Sequence, residues 1–151
     1  MNNLAILIFA SISFISCNSI SGNGNVNDEK RPLSNINTVK TSGSIDVVIN
    51  SGNDYSLTVE NDENLIPFVV TEVNGDELNI HYKNGYSVMN DHAKVIVTVP
   101  TLDRIITSGS GDVTTNGTIK SNNEIEMNTS GSGDIKATVN APSVKVTGSG
   151  S

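Results

Sequence analysis

The chain has 151 residues, with 9 basic against 16 acidic side chains and a formal charge of −7. Such a balance repels phosphate backbones and anionic head groups, which sets nucleic acid aside as a partner. Aromatic residues make up 4% and Trp is absent, so few platforms exist for stacking on bases or sugars, while Val and Ile recur in the alternation of an ordered β protein with a thin core.

The apolar run from Leu4 to Ile15 is about 12 residues, short of the roughly 20 that span a bilayer, and predicts a signal peptide over residues 1–16. Ser16 stands directly before Cys17, the single cysteine, as in a lipoprotein cleavage box whose thiol is acylated and becomes the new N-terminus. A lone Cys cannot close an internal disulfide, which suits a thiol consumed by lipid. Met1-Asn2-Asn3 lacks Lys and Arg, and Phe14 stands where such boxes have Leu, so a plain secretory leader or a misplaced start codon is the alternative. The lipoprotein reading places the protein in the cell envelope, at the outer membrane, with the side left open. Residues 17–32 contain Ser21-Gly22-Asn23-Gly24-Asn25 and the charged Asp28-Glu29-Lys30-Arg31, the composition of a flexible tether behind the lipidated Cys. An ordered first turn over Gly24 to Asp28 that caps the domain is the alternative there.

Residues 33–100 predict antiparallel or mixed sheet. Ile45, Val47 and Ile49 alternate with polar neighbours, as do Tyr55, Leu57 and Val59, and Asn50-Ser51-Gly52-Asn53-Asp54 between them predicts a hairpin turn. Asp62 to Leu65 is a candidate helical turn limited by Pro67, after which Phe68-Val69-Val70 resumes an extended run. Val73-Asn74-Gly75-Asp76-Glu77-Leu78 carries the strongest hairpin signal, with Asn-Gly fitted to a tight primed turn. Leu78, Ile80 and Tyr82 then share one face and Glu77, Asn79 and His81 the other, and Ala93 to Val99 is a further strand ended by Pro100.

Residues 102–151 are organised by a repeat. Thr107-Ser108-Gly109-Ser110-Gly111-Asp112-Val113 returns as Thr129-Ser130-Gly131-Ser132-Gly133-Asp134-Ile135; Thr41 to Val47 is an earlier copy with Ile45 for the second Gly, and Thr147 to Ser151 reads as a partial fourth. Sparse apolar residues and a recurring small-residue turn predict stacked units, each too small to bury a core alone. Gly109, Gly111, Gly131 and Gly133 are expected at corners that need positive φ or close approach between stacked strands.

The run from Gly22 to Val26, the segment Ser42 to Ile49, Asp62 to Leu65 and the Ser-Gly-Ser-Gly-Asp copies, in that order, resemble the putative autotransporter-adhesin head domain, the head GIN domain. The resemblance covers residues 21–151 and implies a β-helix-like fold in a secreted or lipid-anchored bacterial protein with no assigned chemistry. It also implies further turns of the same kind, so a chain stopping at Ser151 reads as a short or truncated version.

Asp112 and Asp134 occupy equivalent places, and periodic Asp in glycine-rich turns can bind Ca²⁺. One carboxylate per repeat supplies few of the roughly six to eight oxygens required, so each Asp is expected instead to accept backbone N–H groups of its own turn. His81 on an outward strand face and His92 in a loop read as solvated, and no spacing nominates a metal site or a cofactor. The serines sit in repeats without an activating base, and Asp62-Glu63 and Asp76-Glu77 fall in predicted turns. The sequence thus predicts an all-β, β-solenoid or β-helix-like domain over residues 33–151, with a hairpin-rich N-terminal part. Its expected role is a non-enzymatic, lipid-anchored adhesin-like module recognising a glycan or protein through a polar β face, with self-association through an uncapped C-terminal edge. A polysaccharide-cleaving β-helix enzyme using paired carboxylates, or a calcium-stabilised structural protein, are the rival readings.

Overall fold

The computed structural model describes residues 18–150; the predicted signal peptide, Cys17 and Ser151 lie outside them. Within them the chain is all β, apart from one 3-10 turn at Ile66–Phe68. The strands are β1 (Asn18–Ser21), β2 (Val26–Arg31), β3 (Thr38–Gly43), β4 (Asp46–Ser51), β5 (Ser56–Asp62), β6 (Val69–Asn74) and β7 (Glu77–Tyr82). There follow β8 (Tyr86–Met89), β9 (Lys94–Val99), β10 (Arg104–Gly109), β11 (Val113–Lys120), β12 (Ile125–Gly131), β13 (Ile135–Asn140) and β14 (Val144–Ser149).

Two six-stranded sheets, ordered β14-β12-β10-β3-β7-β6 and β13-β11-β4-β9-β5-β2, carry the domain, and β1 pairs with β8 in a small third sheet. Pairing is parallel except where β7 meets β6, β9 meets β5 and β5 meets β2, so antiparallel strands close one end of both large sheets. Alternation on each strand sends apolar, mostly β-branched side chains inward: Val39, Leu78, Ile80 and Ile105 from the first sheet meet Val47, Ile49, Val95, Val97 and Val113 from the second in one cluster. Each such side chain contributes about 1.5–3 kcal/mol when fully buried. The core thins along the stack, since Ile135 and Val139 of β13 are only half-buried and β14 is exposed throughout.

The hairpin at Val73–Leu78 forms as expected, with Asn74 opposite Glu77 and a two-residue loop of Gly75 and Asp76. Gly75 takes φ +66 while Asp76 stays outside the left-handed region, the pattern of a II′ turn. The hairpin expected across Asn50–Asp54 does not form, because β9 inserts between β4 and β5, parallel to the first and antiparallel to the second. Residues 18–31 are not a flexible tether. β2 adds to the edge of β5 over six register pairs, and the Arg31 guanidinium ties it to the Val69 and Ile66 carbonyls at 2.7 and 3.1 Å. The helical turn expected from Asp62 falls four residues later, at Ile66–Phe68 around Pro67.

Candidate functional site

The repeat copies meet in register. Thr107, Ser108 and Gly109 lie beside Thr41, Ser42 and Gly43 on one side and Thr129, Ser130 and Gly131 on the other. The phase of the fourth copy differs by two residues from an alignment of Thr147 with Ser130: Gly148 lies opposite Thr129 and Ser149 opposite Ser130. The first three copies turn the chain from one large sheet to the other, between β3 and β4, β10 and β11, and β12 and β13. Inside the corner, the Thr107 and Thr129 hydroxyls donate to the carbonyls of Gly111 and Gly133 at 3.2 and 2.9 Å. Between corners, the Gly43 carbonyl accepts from the N–H groups of Ser110 and Gly111, and the Gly109 carbonyl accepts from Ser132 and Gly133.

The glycines mark where backbone meets backbone. A Cβ on Gly111 would stand 2.2 Å from the Ile45 carbonyl oxygen, and one on Gly133 2.2 Å from that of Gly111. Gly109 and Gly131 combine such approaches with φ of +126 and +119, whereas Gly111 and Gly133 are set by proximity alone. Asp112 and Asp134 do not serve their own turns as expected. Asp46 Oδ1 accepts the Asp112 N–H and Asp112 Oδ1 accepts the Asp134 N–H, each at 2.9 Å, so the carboxylates link neighbouring strands. Among the described residues, no group of three or more His, Cys, Asp or Glu side chains is placed to hold a metal ion.

The outward face of the first sheet is ruled into columns. Ser42, Ser108, Ser130 and Ser149 form one across four adjacent strands. Beside it run Glu72, Asn79, Lys40, Ile106, Asn128 and Thr147 across all six. Neighbours in a column repeat at about 4.8 Å, the spacing of hydrogen-bonded strands. Near the strand starts a groove of 310 Å³ is lined by Asp76, Glu77, Asp103, Arg104, Glu124 and Glu126. Lys145 and Arg104 each contact the Glu126 carboxylate at 3.0 Å, and the Lys145 hydrogen bond holds it below the usual carboxylate range. That is opposite to the shift a general acid needs.

A second polar cluster was not legible in the sequence. Asp62 is fully buried and His92 Nδ1 contacts its Oδ2 at 2.9 Å, while the Gly24 N–H donates to Oδ1. The His92 hydrogen bond keeps the Asp62 carboxyl below its ordinary value. Asn61, also fully buried, donates to the Tyr82 hydroxyl at 3.2 Å, and that hydroxyl donates to Asp91. Burial, reinforced by Asp91, pushes the phenol above its usual range. His92 remains largely exposed, as expected, but its ring is held by Asp62; the Gly24 N–H on that same carboxylate, with Asn23 to Asn64 and Asn90 to Ser21, fastens the N-terminal segment to the domain. His81 faces outward, and its Nδ1 lies 2.8 Å from the Tyr82 carbonyl, so that nitrogen is the donor.

Stacked, mostly parallel strands with small-residue corners and a polar outward face define an all-β scaffold. The chain belongs to the family described as "Putative auto-transporter adhesin, head GIN domain", whose profile matches residues 35–151. A search of curated proteins finds no match. The fold is similar to that of a putative adhesin from Parabacteroides merdae, at TM-score 0.75 and 21% identity, covering 87% of this chain and 55% of that one. A putative lipid binding protein from Parabacteroides distasonis matches at TM-score 0.67 and 25% identity, over 85% of this chain and 62% of that one. A putative adhesin from Bacteroides fragilis matches at 0.70 and 14%, over 87% and 79%. The chain thus spans little more than half the length of the first two.

Proposed function

We propose that the chain is a β-solenoid adhesion module of the cell envelope, anchored to the outer membrane through an acylated Cys17. Its parallel ladders act as rungs, and its outer face binds a glycan or protein by hydrogen bonds rather than by apolar burial. The supporting observation is the ruled face: four serines in line beside a column of Glu, Asn, Lys and Thr interrupted by Ile106, on strands whose positions the glycine corners fix. A rigid array of this kind presents donors and acceptors at one repeat distance and costs little ordering on binding. No enzymatic step is assigned to it, and the acidic surface excludes nucleic acid. Strand edges of β13 and β14, each paired on one side among the described residues, can also take up a second copy.

The test is an array of envelope and host-surface glycans and matrix proteins, probed with the chain and with a Ser108→Arg/Ser130→Arg variant. Both serines are exposed, so the fold is kept. Binding lost in the variant supports the face; binding that survives unchanged moves the site elsewhere. Intact mass from the native membrane fraction, with Cys17→Ala as control, reads the anchor: acyl mass absent from the wild-type chain ends that part of the proposal.

A further inference from the structure

Two depressions lie on the outward side of the same sheet and differ in charge. The groove at the strand starts carries five carboxylates against one Arg. The other, of 450 Å³ near the strand ends, is lined by Lys40, Ser42, Asn79, His81, Tyr82 and Asn84 and has no carboxylate in its lining. In a chain of net charge −7, a polar depression lined by a lysine and no carboxylate contrasts with the acidic groove.

Its donors converge by register. Lys40 lies opposite Asn79 on the neighbouring strand, and Ser42 and His81 each follow two residues later on the same outward faces. Lys40 is half exposed and its nearest acid, Glu77, stands 3.8 Å away, too far for a good hydrogen bond, so the ammonium is held only loosely. The Tyr82 carbonyl occupies Nδ1 of His81, and Nε2 has no partner among the described residues. The Tyr82 hydroxyl is committed to Asn61 and Asp91, which leaves the other groups to face a ligand.

Resting on the polar-face reading, we infer that this depression is a subsite for the charged ring of an acidic saccharide. Lys40 takes the anionic group, Asn79, Asn84 and Ser42 take ring hydroxyls, and His81 Nε2, the accepting nitrogen of the ring, receives a hydroxyl proton from the sugar. A peptide fits less well. Lys40 and Asn79 sit on β3 and β7, which are paired on both sides, so no strand can add there. An oligosaccharide laid across the strands from this point meets the serine column, whereas at the other groove its charge would be repelled.

Calorimetric titration tests this with three probes of equal length: a hexuronic acid oligosaccharide, a sulfated one and a neutral one. They are applied to the wild-type chain, Lys40→Ala and His81→Ala, with melting curves confirming the fold. The expected result is binding of an anionic probe in preference to the neutral one, weakened roughly tenfold in Lys40→Ala, the ratio for one charge-assisted hydrogen bond. The carboxylate and sulfate arms decide which anion the subsite takes. Equal binding of the neutral probe, with no change in Lys40→Ala, overturns the subsite and leaves the polar face standing. An acidic peptide competing as well as the saccharide also overturns it. If the array and all three saccharides are silent, the polar-face reading fails with it.

Discussion

Replacing Gly111 by Ala isolates the cost of strand approach. Gly111 does not sit at positive φ, so Ala meets no backbone strain of its own. Its Cβ would stand 2.2 Å from the Ile45 oxygen and 2.7 Å from the carbonyl carbon, against a comfortable C···O contact of roughly 3.3 Å. Both atoms are backbone, so no rotamer change relieves the clash, and β11 must part from β4 by roughly 1 Å. That stretch strains the Gly111 N–H to Gly43 bond of 3.0 Å and the Val47 N–H to Asp112 bond of 2.8 Å. Two weakened bonds at about 1 kcal/mol each, with about 1–3 kcal/mol of overpacking, give a loss of roughly 3–5 kcal/mol. At about 4 °C per kcal/mol this is a fall in Tm of roughly 12–20 °C. Gly43→Ala is the control: φ is +88 and nothing stands within 4 Å of the added carbon. It should cost only the left-handed penalty of about 1–2 kcal/mol. Thermal unfolding followed by circular dichroism measures both. A Gly111→Ala chain that melts no lower than Gly43→Ala refutes backbone proximity as the constraint on the corner.

Asp62→Asn should flatten the acid limb of the stability curve. Because its folded carboxyl lies below the ordinary range, its contribution is complete above about pH 5 and is lost as pH falls through that range and below. Urea titrations from pH 7 to 3 check this, and an unchanged acid limb in the variant would count against it. Tyr82→Phe leaves buried Asn61 without its hydroxyl partner and should cost about 1–3 kcal/mol, read as a lower urea midpoint at constant m. Asp112→Ala removes the acceptor of the Asp134 N–H and should cost about 0.5–1.5 kcal/mol, with Asp112→Asn close to wild type. Millimolar Ca²⁺ should leave the Tm of the parent chain in place; a clear rise would restore the calcium reading.

What the sequence disclosed depended on whether the signal was local. The Leu78/Ile80 alternation, the Asn-Gly turn and the repeat all concern residues within a few positions of one another, and each describes an element that exists. Partnering is not local. Asn50–Asp54 has turn composition and joins two alternating strands, yet nothing within those residues announces that Lys94–Val99 will take the place between them. β2 lacked a hydrophobic pattern because an edge strand with nearly every side chain in water needs none; backbone pairing and Arg31 hold it. Asp62 and His92 stand 30 residues apart and read separately as turn and loop, and only the pairing of β5 with β9 brings them together. The Asp column was legible as a repeat but not in its bonding, since sequence shows which residues recur and not which neighbour they serve.

The matched corners stand 22 residues apart between Asp112 and Asp134 and 66 apart between Asp46 and Asp112, three times that interval, although the intervening chain includes strands that close the far end. Height is therefore decoupled from closure. Duplicating residues 107–128 in tandem would add one strand to each large sheet, about 4.8 Å of reach, without disturbing β2, β5 or β6. Such a step changes the height of the stack while leaving the strands that close its far end in place.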